Sequence, residues 1–77
     1  MAEEVKGKIE AEKERIFNLS ARAIEYTISA LKHAAVFDDP LHARMAVHEA
    51  EELLSALGLA LKDLEELLKK KEASSKG

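Results

Sequence analysis

The side chains best suited to chemistry are a histidine and several glutamates in the second half of the chain. His48 and Glu52 are four residues apart, so on a helix they would share one face and could chelate a divalent metal ion. Glu49 lies beside them. The apolar periodicity of this segment places all three on its solvated side, and Glu25 of the first half also falls on a polar face. We therefore interpret these residues as a charged outer surface and predict neither a metal site nor a cofactor.

The spacing Glu49-x-x-Glu52 resembles half of the acidic signature of helical nucleotide pyrophosphohydrolases of the MazG type. That resemblance implies magnesium-dependent nucleotide hydrolysis. The family holds magnesium with a second acidic pair on a following helix, where this chain has Asp63 alone. The sequence also has no glycine-rich phosphate loop and no serine accompanied by an activating His/Asp set. We predict that the protein is not an enzyme, with the hydrolase as an alternative.

Two further histidines, His33 and His42, flank the centre of the chain and could approach each other across a turn. A surface pair beside a loop is the interpretation we favour. Adventitious metal binding or a response to pH is the alternative, because histidine is the side chain that titrates nearest neutrality.

Three basic residues, Lys8, Arg15 and Arg22, repeat every seven residues and so form one row on a helix. In a two-fold bundle, two such rows could combine to contact phosphates. The architecture resembles that of the Rop-type RNA-binding hairpin, and the string Val-His-Glu-Ala-Glu-Glu-Leu at 47–53 is similar to its second helix. A nucleic-acid-binding regulator is therefore an alternative function. The formal net charge of −3 argues against general polyanion binding, and acids such as Asp63 could pair with the arginines.

A single proline divides two long amphipathic stretches. Pro40 suits the first position of a helix, and Asp39 before it can cap the free amides of that helix. The pattern predicts one domain at 1–71, with a helix over about 3–37, a turn at 37–40, a helix over about 40–71, and a frayed tail at 72–77. Gly58 is expected to weaken the second helix rather than end it, with a break there as the alternative.

Each stretch carries an apolar arc that is too wide for one seam between two helices. An antiparallel hairpin would leave part of each arc exposed, which a second copy could cover. The fold class predicted is all-α: a two-helix antiparallel hairpin that dimerises into a four-helix bundle, with a tetramer left open. The residues expected in the core and the dimer interface are Ile16, Phe17, Ile24, Ile28, Leu31, Val47, Leu54, Leu57, Leu61, Leu64 and Leu68.

The central region also resembles the hairpin of a small archaeal family known only as a domain of unknown function. The residues that carry this resemblance are Ser29-Ala30, the acidic turn, Ala43, Ala46-Val47, Ala50, Leu53-Leu54 and Ala56. That family tends to have Asp-Ala and Tyr-Ala where this chain has Ser29-Ala30 and Glu49-Ala50. The resemblance implies a helical hairpin and no activity.

The amino-acid composition excludes several further kinds of protein. The chain has 77 residues and no cysteine, which rules out disulfides, and its three aromatic Phe and Tyr side chains are too few to line a ligand pocket. No apolar run approaches the roughly 20 residues of a membrane span, and the acidic N-terminus does not resemble a signal peptide. We expect a cytoplasmic structural or protein-interaction module whose partners are itself and an unknown protein.

Overall fold

Two long helices make up the fold. The computed structural model describes residues 2–76, with α1 at Ala2–Ala35 and α2 at Pro40–Lys76. The helices pack against each other along their length and form a rod of 59 × 14 × 13 Å. The predicted all-α helical hairpin is thereby confirmed.

The turn is shaped by a few backbone hydrogen bonds at the end of α1. The amide of Phe37 donates to the carbonyl oxygen of Lys32 at 3.1 Å, and the amide of Asp39 donates to that of His33 at 2.7 Å. Asp38 has a φ of 51°, in the left-handed region that reverses the chain after a helix. These contacts end α1 at Ala35, two residues before the predicted limit.

The second helix starts where the sequence predicted. The amide of His42 donates to the Asp39 carboxylate at 3.2 Å, and the amide of Ala43 donates to the Asp39 carbonyl at 3.1 Å. Asp39 is therefore the N-cap, and Pro40 occupies the first helical position, where no amide hydrogen is needed.

The second helix runs without a break to Lys76. Gly58 lies inside it with no positive φ, so the prediction that this glycine does not end the helix is confirmed. The helix also extends through most of the 72–77 segment expected to fray, with Gly77 outside the described residues. Glu72 and Ala73 are residue types that favour helix, and Lys69 pairs with Glu65 at 3.6 Å in the preceding turns.

The contact between the helices, called the seam below, is built mainly from alanine. Its buried side chains are Ile9, Ala23, Ala43, Ala46, Ala50 and Ala60. Small side chains let the two backbones approach closely, but they bury little apolar area. Across residues 3–73, whose side chains are described, Ile9 is the only large side chain that is buried.

Candidate interaction surface

Large apolar side chains are exposed along one side of the hairpin, called the apolar face below. They are Phe17, Ile24, Ile28 and Leu31 on α1, and Val47, Leu54, Leu61 and Leu68 on α2. Phe17 is 71% exposed and Leu54 is 54% exposed. All eight belong to the predicted interface set, so the hairpin alone leaves most of that set in contact with solvent.

The two helices contribute to this face together. An open groove of about 290 Å³ runs between them, and its lining includes Ile24 and Ile28 from α1 and Leu54 from α2. Thr27 also lines it, with its hydroxyl donating to the carbonyl of Ala23 at 2.9 Å. Because the Thr27 hydroxyl already donates a hydrogen bond within its own helix, the surface of the groove is mainly apolar.

The other three predicted interface residues lie closer to the seam. Ile16, Leu57 and Leu64 are half-buried between the helices. Leu41, Met45 and Leu59 are exposed but lie on other sides of α2, away from the apolar face. Leu41 and Met45 are one helical turn apart at the turn end of the hairpin, where Val36 and Phe37 are also exposed, whereas Leu59 lies far from them along α2.

The opposite side of the seam is polar, and its charges are mixed. Lys8 lines a groove between the helices together with Asp63, Glu66 and Lys70. Neighbouring acids therefore accompany each base in this groove. The basic row predicted from the sequence does not form a purely positive surface at this end.

The two arginines of that row are also accompanied by acids. Arg15 pairs with Glu12 at 3.8 Å, rather than with Asp63 as suggested from the sequence. Arg22 and Arg15 line a shallow depression with Glu14 and Asn18. Interleaved acids reduce the local positive potential that phosphate binding requires.

Glu12 is a seam residue that the sequence reasoning missed. It lies three residues after buried Ile9, and one oxygen of its carboxylate is buried without a hydrogen-bond partner among the described residues. Tyr26 and His33 are likewise half-buried at equivalent positions of the heptad. These residues could have been identified from their seven-residue spacing to Leu19. They could not be identified by searching for aliphatic residues, because none of the three is aliphatic.

The histidines at the turn meet as expected. The rings of His33 and His42 are stacked, with centroids 5.6 Å apart. His33 Nδ1 contacts the carbonyl of Ser29 at 2.8 Å, and His42 Nδ1 contacts the Asp39 carboxylate at 2.5 Å. Hydrogen bonding to His42, first through its backbone amide and then through its ring, holds the pKa of Asp39 below its usual value.

The glutamate and histidine cluster on α2 is a solvated surface. His48 Nε2 lies 3.1 Å from Glu52 Oε1, and both side chains are mostly exposed. Within the part of the chain that the structure describes, no three His, Asp or Glu side chains are grouped so that they could hold a metal ion. Glu49 is exposed on the same helix.

Comparison of the chain with protein-family models, curated proteins and solved structures gives no match. Neither of the described helices is long and apolar enough to cross a membrane.

Proposed function

We propose that the protein is a small, non-catalytic structural and protein-interaction module of the cytoplasm, and that two copies associate through the apolar face into a four-helix bundle. The observation that carries this proposal is the row of large apolar side chains exposed on one side of the hairpin. Continuous exposed apolar surfaces of this kind mark interaction sites in proteins that are otherwise well charged. In the bundle, the polar side would stay outside and remain available to other proteins.

The surface area of the hairpin supports a partner of the same size. The single chain exposes 5976 Å². A compact folded monomer of 8.5 kDa would expose roughly 4,700 Å², so the excess is about 1,300 Å². Obligate homodimer interfaces cover about 1,000–2,500 Å² on each partner, a range that includes this excess. A second copy can therefore account for the excess.

The energetics of the seam favour the same conclusion. Five of the six buried apolar side chains are alanines, which contribute little hydrophobic free energy. Full burial of one Leu, Ile or Phe side chain contributes about 1.5–3 kcal/mol. The large side chains of the apolar face can supply that free energy only if something covers them.

A charge placed on the apolar face tests the proposal. Leu54→Lys should weaken self-association by at least about 100-fold, because each of the two copies would lose a buried leucine and gain a buried charge. Leu59→Lys is the matched control, since Leu59 is on the same helix and 62% exposed but lies off the apolar face. Sedimentation over a range of concentrations gives the mass, and circular dichroism gives the helix content.

The wild-type chain and Leu59→Lys should sediment at twice the 8.5 kDa mass of one chain. Leu54→Lys should sediment as a monomer or lose helix. Unfolding of that variant would still support association, because Leu54 is already 54% exposed in the single hairpin. A stably folded wild-type monomer at micromolar concentration, or equal masses for both variants, would overturn the proposal.

A further inference from the structure

Gly58 occupies an unusual position for a glycine. It lies in the interior of α2, four residues after Leu54 and three before Leu61, both of which belong to the apolar face. A Cβ atom there would meet nothing within 4 Å, and no described glycine has a positive φ. Neither packing nor backbone conformation within the hairpin therefore requires glycine, although glycine weakens a helix relative to alanine.

Side-chain size on the apolar face follows opposite orders on the two helices. On α1, the row nearer the seam is small and polar (Ser20, Thr27), and the row further out is large. That outer row contains Phe17, Ile24 and Leu31.

On α2 the order is reversed. The row nearer the seam is large, and consists of Val47, Leu54, Leu61 and Leu68. Helical spacing places Gly58 in the outer row, between Glu51 and Glu65. The outer row of α1 thus has projecting apolar side chains, whereas the outer row of α2 has a gap at Gly58 between two glutamates.

We infer that in the homodimer α1 of each copy packs against α2 of its partner, with the outer row of α1 over the gap at Gly58. This inference rests on the proposed self-association and specifies its geometry. Contact of like helices would instead oppose Phe17, Ile24 and Leu31 to the same large residues of the partner. It would also bring Glu51 and Glu65 of the two copies together, which like charges disfavour.

The groove between the helices supports the same pairing. Its 290 Å³ exist because Ser20 and Thr27 leave space beside Leu54 and Leu57. In the bundle, this space faces the inner row of the partner's α2, whose leucines are large enough to enter it. Large side chains then meet small ones at the inner row and at Gly58, which is how well-packed helical interfaces are filled.

Glycine substitutions test the contact at Gly58, with Gly7 as the matched control. Gly7 is also helical and also has open space around it, but its neighbours on α1 are charged. Gly7→Ala should leave the dissociation constant of the dimer within about two-fold of wild type and raise the thermal midpoint, because alanine favours helix. Gly58→Ala should raise the dissociation constant about 10-fold, and Gly58→Leu more than about 100-fold. Stabilisation by Gly58→Ala equal to that by Gly7→Ala would overturn the inference.

Cysteine pairing tests the arrangement of the helices without altering Gly58. The chain has no cysteine, so single variants can be mixed under mild oxidation and the disulfides identified by mass spectrometry. Ile24→Cys should pair with Leu54→Cys or with Leu61→Cys in preference to itself, according to whether the two turns lie at the same end or at opposite ends. Exclusive pairing of Ile24→Cys with itself would overturn the inference while leaving the dimer intact. A monomeric mass would instead show that the proposed self-association is wrong.

Discussion

Asp39 shows how much a single residue contributes to the turn. Its carboxylate accepts from the backbone amide of His42 and contacts the ring of the same histidine. Both contacts favour the ionised carboxylate, which is why its pKa lies below the usual 3.8. The cap itself was predictable, because an acid directly before the chain's single proline is a helix-start signal.

The pH dependence of stability should reveal this contact. Because the folded pKa of Asp39 is lowered, its stabilising contribution is present above 3.8 and is lost as the pH falls through the lower, folded value. Asp39→Asn keeps an oxygen that can accept from the His42 amide but has no charge to titrate. The thermal midpoint of the wild type should exceed that of Asp39→Asn at pH 5, and the difference should shrink toward pH 2. A difference that stays constant over this range would contradict the assigned role.

Glu12 shows where reading residue by residue fails. A charged side chain in the sequence suggests solvent, yet one oxygen of Glu12 is buried beside the seam. Its position follows from the geometry of two packed helices, because the residue three after Ile9 must point toward α2. The charge of Glu12 would place the side chain in solvent, whereas its position on the helix directs it toward α2. The position on the helix determines where the side chain lies.

At the scale of the helices, small residues determine how closely α1 and α2 approach. Ala60 is 0% exposed, and the other buried seam residues of α2 are also alanines. The sequence predicted the heptad rows that contain them. It did not predict that alanine rows would face the partner helix within the chain while the leucine row would face outward, because both rows fall within the same broad apolar arc.

A larger side chain in the seam should separate the helices. Ala60→Leu is expected to destabilise the fold by about 1–3 kcal/mol, since the close contact leaves no room for an isobutyl group. Ala11→Leu is the control on the exposed surface of α1 and should change stability by no more than about 0.5 kcal/mol. Urea unfolding at one fixed chain concentration compares the two, because association would make stability depend on concentration. Equal effects from both variants would show that α1 and α2 are not closely packed at Ala60.

At the scale of the whole molecule, the hairpin has one apolar side and one polar side of mixed charge. The polar side carries Lys8, Arg15 and Arg22 together with acids of both helices. A nucleic-acid-binding surface would need a net positive field, and the chain carries a formal net charge of −3.

We therefore expect no mobility shift of structured RNA or duplex DNA by the protein at low salt. The variant in which Lys8, Arg15 and Arg22 are all replaced by glutamine serves as the control. A salt-sensitive shift by the wild type that this variant loses would favour the Rop-like alternative over the proposed interaction module.

The sequence by itself determined the two helices, the turn between them and the surplus of apolar surface. These features depend on local signals: Asp39 and Pro40 at the break, and heptad spacing on either side. Only the tertiary structure decided which apolar row lies in the seam and which lies outside, and that Lys8 of the basic row lies beside acids of α2. Those outcomes depend on how one helix is rotated and aligned against the other. Contacts between residues far apart in the sequence set that rotation and alignment, so local patterns do not reveal them.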